Sequence, residues 1–304
     1  MKTNSKNREL RKIIQAIPFL APSLCGMVIF CIFPMIIATA LSFTDWSGLT
    51  ALTFDTIRDN FVGFKNYIDI LTHEEFRDTL LHVLYFVVLY VPLTFIFAMI
   101  VALVLNAKRK GAGVFSVIYY IPVLTSWVAA SLIWKWVLSS KYGVINGLLG
   151  FVGISGPDWL TNKYWAMPGI VLASVWKDMG FYGLYILGGL KGIDATYYEA
   201  ARVDGASKLK ILFKVTLPLL SPTLFYCLIM ALIGAFQLFP QVQIMTEGGP
   251  NGATHVMVER IYNYAFNYFE MGYASAYSWL LFIIILILTL VQLKCQKAWV
   301  HYES

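Results

Sequence analysis

Apolar runs alternate along the chain with short polar or basic stretches. They occupy residues 17–42, 82–105, 114–138, 167–190, 217–245 and 275–294. Each is near the ~20 residues that a helix needs to cross a bilayer, so the pattern predicts six membrane-spanning helices. Lys2, Lys6, Arg8, Arg11 and Lys12 precede the first run. Ala38-Thr39-Ala40 resembles a signal-peptide cleavage site, but the apolar stretch Ile13–Leu41 is longer than the ~7–15 residues of such a leader. It reads as a retained first span, with residues 1–16 as a basic cytoplasmic segment and 17–304 as a single transmembrane domain. Between the first two runs, residues 43–80 hold seven acidic and three basic side chains, as befits an exterior loop. Pro222 and Pro240 are expected to break the fifth run, and Glu247-Gly248-Gly249-Pro250 signals a turn after it. Six spans place both termini in the cytoplasm. No internal repeat and no separate soluble domain is apparent.

Composition agrees with this pattern. Of 304 residues, 59% are hydrophobic and only 13% charged, too apolar for a soluble domain of this size. A net charge of +6 invites a nucleic-acid reading, but the placement of the cations opposes it. Five of the 23 Lys and Arg residues lie in 1–16, three in 106–113, five in 191–215 and two after Leu293. These are the segments that the six-span pattern puts on one side, the asymmetry of the positive-inside rule. Cys25, Cys31, Cys227 and Cys295 lie in or beside apolar runs without metal-ligand spacing, and read as buried small hydrophobes. No metal site and no catalytic residues are expected. No Gly-Lys dipeptide occurs, so the chain has no phosphate-binding loop of that type, and any ATP that drives it must bind another chain.

The polar stretch 191–216 is the least ordinary part of the chain. Thr196-x-x-Glu199 matches a capping box for a first short helix, Ala200 and Ala201 are small helix formers, and Gly205 suits a left-handed helix end. Leu209, Leu212, Phe213 and Leu217 then recur at helical spacing, which predicts a second short helix before Pro218 opens the fifth span. By itself this is a well-capped cytoplasmic loop. Its spacing, Glu199-Ala200-Ala201, Gly205, then Val215-x-Leu217-Pro218, resembles the EAA loop of bacterial ABC-importer permeases, with Val215 where Ile is more usual.

The likeness extends over nearly the whole chain. Phe43-Thr44-Asp45-Trp46 and Phe61-Val62-Gly63-Phe64-Lys65-Asn66-Tyr67 resemble the first outer loop of the sugar-type permeases of binding-protein-dependent ABC importers. Ile133-Trp134-Lys135-Trp136, Gly143-Val144-Ile145-Asn146, Trp176-Lys177-Asp178-Met179-Gly180-Phe181 and Thr246-Glu247-Gly248-Gly249-Pro250 resemble later segments. His82 departs from the family, where Asn is common. The long outer domain of the maltose-type permease is absent, which brings the chain nearer the shorter oligosaccharide and glycerol-phosphate permeases. The resemblance implies an all-α integral membrane protein of the type I ABC importer permease fold, in a bacterial plasma membrane. It implies no enzyme activity of its own. The implied partners are a second homologous permease, as a heterodimer, two ATPase subunits that bind ATP and Mg, and an extracytoplasmic solute-binding protein. Within the loop it assigns ATPase coupling to Tyr198, Glu199, Ala200, Ala201, Asp204, Gly205, Ala206, Leu217 and Pro218.

Lys177 and Asp178 are charges within a span, where they are costly and face a bundle interior or water. One of them lines a solute path, or each makes a structural ion pair with a neighbouring span or partner. Phe236, Gln237, Phe239 and Gln241 flank the Pro240 break, and broken helices line cavities in transporters. Their rings and amides suit a sugar, but also helix packing and an interfacial aromatic belt. Trp127, Trp134, Trp136 and Tyr182 pose the same choice. Gly248, Gly249 and Pro250 form either a contact for the binding protein or a plain turn. A sugar or oligosaccharide is the expected solute, with glycerol phosphate or another polar solute as the alternative. An ion-coupled secondary transporter would need ionisable residues through several spans, whereas only Lys135, Lys177 and Asp178 qualify. An intramembrane enzyme would need converging catalytic groups, and His82, the intramembrane histidine, has no evident partner in the sequence.

Overall fold

The computed structural model describes residues 17–107 and 112–300. The basic segment 1–16 and the cluster Lys108-Arg109-Lys110 lie outside the described residues. Among those residues the regular structure is helical, apart from one antiparallel bridge between Thr44 and Phe61. The elements are α1 (Ile17–Ser42), α2 (Phe54–Asp59), α3 (Lys65–Thr72), α4 (Glu74–Asn106), α5 (Ala112–Leu124), α6 (Trp127–Val137), α7 (Val144–Phe151), α8 (Ala166–Gly192), α9 (Ala195–Val203), α10 (Lys208–Phe236), α11 (Pro240–Met245), α12 (Met257–Tyr262) and α13 (Met271–Trp299). Helices α1, α4, α8, α10 and α13 are long and apolar enough to cross a membrane, and α5 with α6 makes a sixth candidate if the bent pair is one span. The helices overlap the predicted runs, but α4 begins at Glu74 and α10 at Lys208, more than two turns before theirs, and α10 ends at Phe236.

Three expectations are corrected in detail. The third run is not one helix, since α5 and α6 meet at 101°. Ser126 caps α6 there, its hydroxyl accepting from the Ala129 amide at 3.2 Å. Pro222 lies inside α10 without breaking it, whereas α10 stops at Phe236 and Pro240 starts α11. Of the cysteines, only Cys227 is buried among the described residues; Cys25, Cys31 and Cys295 are exposed, on faces of α1 and α13 that this chain's own packing leaves uncovered.

The described residues divide into two compact units, 17–70 with 262–279, and 71–107, 112–261 and 280–300. In the first, the motif segments 43–46 and 61–67 dock on one another. Asn66 donates to the carbonyls of Ser42 and Thr44 at 3.0 and 2.7 Å, and the Tyr67 hydroxyl donates to Ser42 Oγ at 2.7 Å. The Gly272 amide donates to the Trp46 carbonyl at 3.0 Å, and a Cβ at Gly272 would overlap the carbonyl oxygen of Thr44.

In the second unit α8 is central. Of its most apolar stretch 61% is buried, against 6% for α1. Close packing of α8 depends on small residues, as is usual where helices associate in lipid. A Cβ at Gly183 would sit 3.0 Å from Val101 Cγ1 on α4, and one at Gly180 would overlap the Tyr119 carbonyl oxygen on α5.

Candidate functional site

The second unit holds a partly open cavity of about 390 Å³ with both polar and apolar lining. Helix α4 contributes Phe86 and Tyr90, α8 contributes Ser174, Asp178, Phe181 and Tyr182, and Trp127 comes from the first turn of α6. Gln237, Leu238, Pro240 and Gln241 come from the break between α10 and α11. The Tyr90 hydroxyl donates to Asp178 Oδ2 at 2.7 Å, and Phe86 stacks on Tyr90 with centroids 5.0 Å apart. A carboxylate within a span needs such a donor. Gln241 is 6% exposed, and its buried Oε1 accepts no hydrogen bond from the protein. A buried acceptor left unpaired costs about 1–3 kcal/mol. Aromatic faces beside amide and carboxylate acceptors can take an apolar ring face and a polar ring edge together.

The two adjacent charges part company. Lys177 leaves the cavity and donates to the Pro122 and Val123 carbonyls at 3.2 and 3.3 Å. Trp127, Asp178, Tyr182, Gln237 and Gln241 share the cavity, whereas Lys177, Phe236 and Phe239 do not line it. Phe236 is buried on another face of α10, beside Ile285 and Leu288 of α13.

Residues 193–216 form a short helix, a turn and the start of a longer helix. The capping box is not formed. Asp194 caps α9 instead, accepting from the Thr196 amide at 2.8 Å and the Thr196 hydroxyl at 2.9 Å. These two donors hold the Asp194 carboxyl below the usual carboxylate range. Glu199 and Ala200 are exposed, and Tyr198, Ala201 and Ala206 are half-buried. Gly205 ends α9 at φ +71°, where glycine is favoured. Ser207 then caps the next helix, accepting from the Lys210 amide at 3.3 Å. That helix is not a separate short element. It runs through a π-helical turn at Leu212–Thr216 straight into α10, with Leu217 and Pro218 continuing it. Apolar Val203, Leu209 and Phe213 are 87%, 68% and 62% exposed in this otherwise polar stretch.

A tight turn at Gly248–Gly252 follows α11. Thr254 donates from its amide to the Gly248 carbonyl at 3.1 Å and from its hydroxyl to the Gly249 carbonyl at 2.7 Å. Gly248 takes φ +82°, and a Cβ there would overlap the His255 ring. His255 Nδ1 is 3.0 Å from Oε2 of fully buried Glu259, and Arg260 pairs with Glu75. His82 has a partner after all, since its Nδ1 lies 3.1 Å from the His255 carbonyl.

The model of the binding-protein-dependent transport system inner membrane components matches residues 71–297. This chain belongs to that family. The permease is 36% identical over 305 residues to the probable ABC transporter permease protein YesP of Bacillus subtilis, covering 98% of this chain and 96% of that one. It is 34% identical over 273 residues to the trehalose/maltose transport system permease protein MalF of Thermococcus litoralis, covering 90% of each chain. A chain in the crystal structure of a bacterial alginate ABC transporter, in complex with alginate pentasaccharide-bound periplasmic protein, shares the fold at TM-score 0.81 and 21% identity, covering 96% of each chain.

The permease also holds residues that sequence reasoning missed. Tyr90, Phe86 and Ser174 line the cavity without having been singled out. A signal existed for Tyr90, a hydroxyl inside one apolar span while Asp178 in another needs a donor. Glu75, Glu259 and Arg260 read as ordinary loop charges, because their burial depends on packing from residues far along the chain.

Proposed function

We propose that this permease forms half of the path by which a sugar or oligosaccharide crosses a bacterial inner membrane. The solute would come from an extracytoplasmic binding protein, and the driving ATP and Mg would be bound by separate ATPase subunits. The cavity carries this reading. It sets Trp127, Phe181 and Tyr182 beside Asp178, Gln237 and Gln241, and a sugar presents carbon–hydrogen faces to rings and hydroxyls to acceptors. The names of the relatives, with trehalose, maltose and alginate among their solutes, support the same class. Among the described residues the cavity wall has a carboxylate and no Lys or Arg, which favours a hydroxyl-rich solute over glycerol phosphate.

The exposed α9, with the small residues Ala200, Ala201 and Gly205 and the apolar Val203 beside them, is the contact for an ATPase. Motion of the ATPase enters α10 directly, since that helix continues from the loop to the cavity. The turn at Gly248–Pro250 faces the binding protein. A second, homologous permease completes the path.

Uptake of ¹⁴C-labelled maltose, trehalose and raffinose tests the reading, in cells with and without the chain. Uptake of at least one should require the chain, fall when cellular ATP is depleted and survive ionophores. An ATPase should co-purify with the tagged chain. Uptake that survives ATP depletion and collapses with the ion gradient would overturn the reading in favour of a secondary transporter.

A further inference from the structure

The bend between α5 and α6 leaves helix-end carbonyls to be satisfied. The last carbonyls of a helix have no partner within it, and inside a membrane protein such groups must be satisfied by the protein itself. Pro122 lies in the last turn of α5 where the 101° break begins, and its carbonyl accepts from the Thr125 amide at 3.2 Å with room for a second donor. Lys177 answers this need from α8. It is 5% exposed, and its ammonium donates to the carbonyls of both Pro122 and Val123. A cation at a helix C-terminus is also favoured by the helix dipole. The same ammonium lies 5.0 Å from the centroid of the Trp127 ring, a cation–π distance. Trp127 is the first residue of α6, immediately beyond the break, and it forms one wall of the cavity.

We infer that Lys177 is a positioning residue for transport: it clamps the broken span at its corner and thereby sets the place of Trp127 in the cavity wall. Lys177 does not touch the solute. It fixes the last carbonyls of α5 and the first ring of α6 with one charge, while its neighbour Asp178 takes part in the cavity itself. The close approach that the clamp needs is provided by Gly180, one turn along α8, where a Cβ would overlap α5 backbone. This inference rests on the cavity's being the solute path.

A double-mutant cycle on uptake tests it, using whichever of ¹⁴C-maltose, ¹⁴C-trehalose and ¹⁴C-raffinose the wild-type cells import. Lys177→Met should raise the apparent KM about tenfold or more, with the maximal rate and the amount of chain in the membrane within twofold of wild type. Trp127→Ala should raise KM by a similar factor. The double variant should be no worse than Trp127→Ala alone, because groups acting through one contact are non-additive. Lys177→Arg keeps the charge and the donors and should recover most of the affinity. If Lys177→Met is lost from the membrane, the same cycle is run with Lys177→Arg, whose smaller KM increase should likewise vanish in the Trp127→Ala background. Additive effects in the cycle, or an unchanged KM in Lys177→Met, would overturn the inference while leaving the importer reading intact. Wild-type cells that import none of the three sugars would count against the importer reading instead.

Discussion

Gly205 shows how one residue can divide backbone conformation from side-chain bulk. Nothing lies within 4 Å of a Cβ built there, so a substitution meets no clash in the chain itself, only a left-handed φ of +71°. Asn and Asp enter that region more readily than β-branched residues. Gly205→Asp is therefore expected to insert normally and keep the turn, yet lose the ATPase on purification. Gly205→Val should lose the turn as well, which protease sensitivity between α9 and α10 would report. Gly272 has the opposite character. Its Cβ would overlap the Thr44 carbonyl, so Gly272→Ala should cost about 1–3 kcal/mol by overpacking, visible as a lower Tm in detergent. Asp194 gives a pH expectation. With its carboxyl below the usual range, the cap on α9 contributes fully above the ordinary carboxylate pKa and is lost only as the pH falls through the lowered value. Coupled ATPase activity should thus show no loss traceable to this cap between pH 7 and pH 5. A drop in that window that Asp194→Asn abolishes would contradict the expectation.

Among the elements, paired groups at helix crossings are the exposed points of the design. Tyr90 on α4 and Asp178 on α8 meet at 2.7 Å, and a hydrogen bond to a charged group contributes about 1.5–3 kcal/mol. Tyr90→Phe should lower stability by about that amount, and by clearly less in an Asp178→Asn background; thermal unfolding of the four proteins measures the difference. Arg260 on α12 pairs with Glu75 at the start of α4, and both are largely buried. Removing one partner of a buried pair typically costs about 3–5 kcal/mol. Glu75 retains some exposure, so Arg260→Met is expected near the lower end, read as loss of folded chain from the membrane. The helices themselves were legible because a bilayer imposes length and apolarity on every span. The corner at Thr125–Ser126 was not, although Ser126 carries an N-cap signal inside the third run, because hydropathy averages over the break. The cap on α9 was misread for a similar reason. Thr196 and Asp194 are both good caps, and only geometry shows the aspartate accepting from the threonine. Pro222 was overread as a break, since the Pro218 carbonyl that its missing amide would have bonded accepts from the Ser221 hydroxyl at 2.6 Å instead.

At the scale of the molecule, the helical class and the family could be read from residue patterns, but the contents of the cavity could not. Trp127, Asp178, Gln237 and Gln241 were singled out one by one, by charge, aromaticity or a proline nearby. That they share one chamber while Lys177 turns to a backbone corner follows from the third dimension alone. Helix α10 joins these scales. With 29 residues at about 1.5 Å each it is roughly 43 Å long, and it has one end in the exposed loop and the other at Phe236, beside the cavity break. The π-helical turn lets the loop end follow the axis of the span instead of hinging away from it. Such a rod acts as a lever. A tilt of only about 10° about its loop end would sweep the far end through roughly 7 Å, more than the diameter of a sugar ring. Under the proposed coupling, a small rotation at the loop would therefore reach the chamber as a displacement of several ångströms.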